Sequence, residues 1–195
     1  MPETTPARSV APIERKSARD HSHARLTQTI TLQSDTAQRL LENFYPKTDA
    51  NLEVLESVFM RFIGEPEIAR AYASFNALCG HCAEEASQTR LGLESLLKES
   101  GEARRPAFDN PRTYEAQLRS WKSQDALKLI SAIDDSEALL VTAARTSLLE
   151  LEAARKIKFA LRGVFTGFAR EVQQIRNACV AFEQEKKAKK KTEQN

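Results

Sequence analysis

"RLTQTITLQ", residues 25–33, alternates between two chemistries. Leu26, Gln28, Ile30 and Leu32 fall on one side of an extended chain, and Arg25, Thr27, Thr29 and Thr31 fall on the other. Thr and Ile are branched at Cβ, which suits a pleated surface and costs side-chain freedom in a helix, so the segment reads as a short strand. Almost everything after residue 33 reads as helix. A single strand needs a partner from outside this pattern, because its backbone donors and acceptors must be satisfied somewhere.

Two short helices are expected to follow. Ser34 is placed to cap "DTAQRLLENFY", whose Ala37, Leu40, Leu41 and Phe44 form one apolar face. Pro46 stops that helix, "PKTD" reads as a turn, and Thr48 or Asp49 caps a second helix carrying Leu52, Leu55, Phe59 and Phe62. Gly64 and Pro66 close the unit. A long helix is expected from about residue 65 to 100, with bends at Gly80 and Gly92, and then a loop, "GEARRPAFDNPRTY". From about Glu115 two more helical stripes run, one through Ile130, Ile133, Leu140 and Leu148, the other through Leu161, Phe165, Phe168, Val172 and Cys179. The second is close to a heptad seam and suits packing against long antiparallel neighbours.

The fold class expected is therefore mainly α, a short N-terminal strand plus two helices fused to a bundle of long helices. The expected divisions are a disordered basic N-terminal arm at 1–24, a strand-helix-helix module at 25–64, a long-helix bundle at 65–184 and a disordered basic tail at 185–195. The 195 residues are 41% hydrophobic and 29% charged, ordinary for a protein with a real core. A net charge of +2 says little, but Arg8, Arg15, Lys16, Arg19 and Arg25 gather at one end and Lys186 to Lys191 at the other. No run of about eighteen apolar residues occurs and the N-terminus lacks the apolar run of a secretory signal. A cytoplasmic protein with no membrane partner is expected.

"CGHC" at residues 79–82 is the four-residue motif of disulfide isomerases. That chemistry needs a strand before the first Cys and a helix N-terminus at it, so that a thiolate forms. Here the preceding "EPEIARAYASFNAL" is helical, and Ile68, Tyr72, Phe75, Cys79 and Cys82 continue one apolar stripe, so core cysteines are expected. A second ligand pair for zinc is absent: His21 and His23 lie in the arm and Cys179 on another stripe. No catalytic residue, metal ligand or cofactor is assigned, because no nucleophile with a base, phosphate-binding glycine loop or complete ligand set occurs.

The economical partner for the strand is the same strand of a second copy, giving an antiparallel ribbon across a twofold axis backed by two helices, a ribbon-helix-helix dimer. Such a ribbon fits the DNA major groove. Arg25, Thr27, Thr29 and Thr31 would then face base edges, where Arg grips guanine and Thr donates, accepts or meets the thymine methyl. Free amides at Thr48, Asp49 and Ala50 would offer a phosphate site, and Arg19 of the arm would follow the backbone or a minor groove. Plain dimerisation and a capping strand are the alternatives.

"NPRTYEAQLRSWKSQDALKLISAIDDSEALLVTAARTSLLE", followed by "ARKIKFALRGVFTGFAREV" and taken with "TITLQSDTAQRLL", resembles the AcaB-like family of conjugative plasmids and integrative and conjugative elements. Tyr114, the run from Ala126 through Ile130 to Ile133-Asp134-Asp135, Leu139-Leu140 and Thr146 carry the likeness, over roughly residues 26–180. The resemblance implies a cytoplasmic, helical protein of a mobile element with a ribbon-helix-helix-like DNA-binding portion. A homodimeric transcriptional regulator is expected, with double-stranded DNA and RNA polymerase or another regulator as partners. The alternative is a non-enzymatic scaffold of conjugative transfer. Asp134 and Asp135 point about 100° apart on a helix and do not converge on one ion, so a polar-core or surface role is expected.

Overall fold

The computed structural model describes residues 26–104 and 106–193. Along these residues run β1 (Leu26–Leu32), α1 (Asp35–Asn43), α2 (Tyr45–Phe62), α3 (Pro66–Glu99), β2 (Arg112–Leu118), α4 (Ser123–Arg145) and α5 (Leu151–Glu193). The mainly helical class with a short strand at its start is as expected.

The strand's partner is not as expected. β1 pairs antiparallel with β2 of its own chain, in register from Leu26 opposite Leu118 to Leu32 opposite Arg112. The stretch 112–118, RTYEAQL, expected as loop and helix start, is extended because it alternates. Tyr114 and Ala116 turn inward while Thr113, Glu115 and Gln117 stay exposed. Glu, Ala, Gln and Leu favour helix on their own, but pairing with the open edge of β1 satisfies two sets of backbone groups at once.

Local chemistry explains the helix ends. Ser34 has extended backbone, and its hydroxyl accepts from Ala37 N at 3.3 Å, as the capping reading required. α2 starts earlier than expected. Pro46 stands in its first turn, where a missing N–H costs nothing and its fixed φ fits, so the proline opens a helix as well as ending the one before. Gly101, at φ +71°, closes α3: its amide bonds Lys98 O at 3.1 Å and that of Glu102 bonds Leu97 O at 2.9 Å. Ser147 takes the same left-handed backbone after α4, at φ 58°.

One apolar core crosses the expected boundary at residue 64. Ile30, Leu32, Leu40, Leu52, Phe75 and Phe165 belong to it together, so the strand and short helices share a single interior with α3, α4 and α5. The stripe along α5 is buried as read, with Phe165 and Val172 fully enclosed. The stretch from 185, expected as a disordered tail, instead continues α5 as far as Glu193. Phe182 meets Phe62 edge-on, Arg61 pairs with Glu183, and Lys186 reaches Glu65 at 2.9 Å, which together hold this stretch against the α2–α3 junction. Cys79, Cys82 and Cys179 are free thiols, half-buried or buried, as core cysteines should be. No described helix is long and apolar enough to cross a membrane.

Candidate nucleic-acid interface

The β1–β2 ribbon has one wet and one dry face. Ile30, Leu32 and Ala116 are buried on the inner side, with Gln28, Tyr114 and Leu118 partly covered. On the outer side Thr27 faces Gln117, Thr29 faces Glu115, and Thr31 faces Thr113, all exposed. The Thr31 and Thr113 hydroxyl oxygens lie 3.0 Å apart and share a hydrogen bond. Leu26, on the inner side by alternation, is 71% exposed because it stands at the ribbon's open end.

Two buried carboxylates fix the ribbon to the helices, one at the C-terminal end of each strand. Just past β1, Asp134 of α4 accepts from Gln33 N at 2.9 Å and Ser34 N at 2.7 Å. Just past β2, Asp49 of α2 accepts from Arg119 N at 3.1 Å and from the Ser123 hydroxyl. The strands are antiparallel, so these anchors sit at opposite ends. Neutral donors add to each: Gln38 Nε2 donates to Leu32 O at 3.1 Å and Asn110 O at 2.8 Å, and Tyr45 donates from its hydroxyl to Gln117 O at 2.6 Å. Burial first, then the Asp49 charge, raises the Tyr45 phenol pKa far above its ordinary value, so it remains a donor. Asp134 thus has the polar-core role expected for it.

The arginines flanking the face are already engaged. Arg112 lies 3.2 Å from Glu42, which also accepts from the Tyr114 hydroxyl at 2.7 Å. Arg119 lies 3.4 Å from Asp49 and 3.8 Å from Glu53. Among the described residues the outer face of the ribbon therefore offers hydroxyls, one amide and the Glu115 carboxylate, and no free cation.

Of the residues singled out from sequence, Thr27, Thr29 and Thr31 come together on this face. Arg19 and Arg25 lie outside the described residues. Thr48 does not join them. It is inside α2, 1% exposed, with its amide and hydroxyl both donating to Phe44 O at 3.1 and 2.9 Å, so the helix end expected there does not exist. Sequence reasoning missed Thr113, Glu115 and Gln117, whose signal was the alternation after Pro111.

The "CGHC" stretch lies within α3. Burial foremost pushes the Cys79 thiol up to about 11, the opposite of what a redox nucleophile needs. Among the described residues no group of three His, Cys, Asp or Glu is placed to hold a metal.

No family model matches the chain, and no curated protein matches it in sequence. Among solved structures, the crystal structure of selenomethionine-containing AcaB from uropathogenic E. coli is similar. The TM-score is 0.78, at 19% identity, over 86% of this chain and 88% of that one. The chain shares the fold of AcaB.

Proposed function

We propose that the chain is a sequence-specific double-stranded DNA-binding protein, a transcriptional regulator of a bacterial mobile element and a member of the AcaB-like family. The observation that carries this reading is the ribbon, two strands wide, with a polar face of four threonines, a glutamine and a glutamate, its other face sunk in the core. A two-stranded ribbon is of a size to enter the major groove. Thr hydroxyls donate or accept at base edges, and a Gln amide makes a paired contact to adenine. Glu115 accepts from cytosine and repels phosphate, so it favours base contact over backbone contact. Anchoring at both ends supports the same reading, because a rigid element holds its side chains in one register.

The protein acts as a homodimer in this proposal, and twofold symmetry matches palindromic half-sites. The long-helix body is then the surface offered to RNA polymerase or another regulator.

The test is fluorescence anisotropy on duplexes from the chain's own upstream region and on scrambled controls, at low and physiological salt. A preference of about a hundredfold that survives physiological salt is expected. Thr29→Ala with Gln117→Ala should reduce that preference and leave the oligomeric state unchanged. Equal binding to all duplexes would exclude base reading by this face.

A further inference from the structure

A ribbon whose flanking arginines are held by Glu42, Asp49 and Glu53 has no phosphate anchor of its own among the described residues. Most protein–DNA hydrogen bonds go to the backbone, and they position the protein. Cationic surface must then be sought elsewhere. A groove of about 390 Å³ between α1 and α5 supplies it, with Arg39, Arg155, Lys158 and Arg162 on its walls against one carboxylate, Asp35.

These cations are not equivalent. Arg39 is held by Asp35 at 3.0 Å, and Lys158 by the buried Glu137, so both charges are largely offset. Arg155 and Arg162 are exposed and have no ion-pair partner among the described residues. They lie seven residues apart on one face of α5, about 10 Å along its axis, far enough to reach two separate phosphates. Phe159 stands between them, 77% exposed. An aromatic ring left in water among cations is suited to packing on sugars or wedging at a base step.

The groove also adjoins the ribbon through the chain. Asp35, the first residue of α1, comes three positions after the end of β1, and Arg39 stands one turn further on. One wall of the groove is therefore a continuation of the strand that carries Thr31.

We propose that the α1–α5 groove binds the phosphate backbone of double-stranded DNA, with Arg155 and Arg162 as the phosphate ligands and Phe159 against the sugar edge. This rests on the reading of the chain as a double-stranded DNA-binding protein, and the groove and base contact by the ribbon can be separated by salt dependence. The full chain is titrated with an upstream-region duplex and a scrambled duplex across a salt series. For Arg155→Ala with Arg162→Ala, affinity should fall tenfold or more on both duplexes, and the slope of log K against log salt should drop by about 2, near 0.9 per phosphate. Arg155→Lys with Arg162→Lys should restore most of that slope, because it restores charge. Unchanged thermal unfolding shows that the variants fold.

An unaltered slope in the alanine variant overturns the proposal and leaves the ribbon reading standing; an acidic protein would then be the occupant to test. An equal drop from Arg170→Ala, outside the groove, means diffuse charge only and overturns it too. Equal wild-type binding to both duplexes, with a slope that the alanine variant lowers, sinks the ribbon reading and supports the groove. No wild-type binding to any duplex sinks both.

Discussion

Removing the Asp134 carboxylate tests how the ribbon is held. Its two oxygens accept from Gln33 N at 2.9 Å and Ser34 N at 2.7 Å, and the residue is 5% exposed. Hydrogen bonds to a charged group contribute about 1.5–3 kcal/mol each, and a buried amide left unsatisfied costs about 1–3 kcal/mol. Asp134→Ala removes both acceptors at once. The two estimates describe the same bonds from different sides and do not add, so the expected loss is about 3–5 kcal/mol. Asp134→Asn keeps one acceptor and turns an NH2 group toward the other amide, for a loss of about 2–3 kcal/mol. In a chain of this length about 1 kcal/mol shifts Tm by roughly 2–4 °C, so the alanine variant should melt on the order of 10 °C lower. Urea unfolding measures the change directly, and amide exchange across the β1–β2 ladder shows whether the ribbon opens first. A loss under about 1 kcal/mol with unchanged m would refute the anchoring argument, since the two amides would then have found other partners.

Tyr45→Phe should lose about 1 kcal/mol at neutral pH by deleting the bond to Gln117 O, read by urea unfolding. The folded phenol pKa is raised, so its contribution is full below the unfolded value near 10 and declines as pH rises above it; Tyr45→Phe should flatten that alkaline loss. Cys79, with a thiol pushed up to about 11, should alkylate at pH 8 about a hundredfold more slowly than a free cysteine, by mass-spectrometric counting of labelled thiols. Phe165→Ala, in the middle of the core, should cost about 3–5 kcal/mol in urea unfolding. Ser147→Gly should stabilise by roughly 0.5–1 kcal/mol, because glycine adopts φ 58° without strain.

Where one local signal decided the structure, the sequence was readable. β1 was visible from β-branched alternation, the start of α1 from Ser34, and the α5 stripe from its periodicity. The cysteines were placed by the stripe they continue. The failures have separate causes. β2 was hidden because Glu115, Ala116, Gln117 and Leu118 favour helix, and only β1, far away in sequence, makes extension worthwhile. The start of α2 is ambiguous in sequence because Pro46 suits both the end of one helix and the first turn of the next. With α2 starting at Tyr45, Thr48 lies inside the helix and its amide is not free. The lysine run after 185 looked like a tail because its partners, Glu65 and Glu183, are remote or upstream. The candidate site was half legible: its threonine strand could be read, whereas the facing strand and the groove of α1 and α5 arise only when distant segments meet.

The pairing of β1 with β2 also sets an order of events during synthesis. Thr31 and Thr113 bond across 82 positions, with α1, α2 and α3 between them. As the chain leaves the ribosome, β1 emerges early and stays without its strand partner until residue 118 has followed. Closing so long a loop is entropically costly until the helices have drawn its ends together, so the ribbon should be among the last elements to form in refolding. For that interval β1 is an exposed edge open to other chains. A chain cut after α3 would keep the open edge permanently and should aggregate.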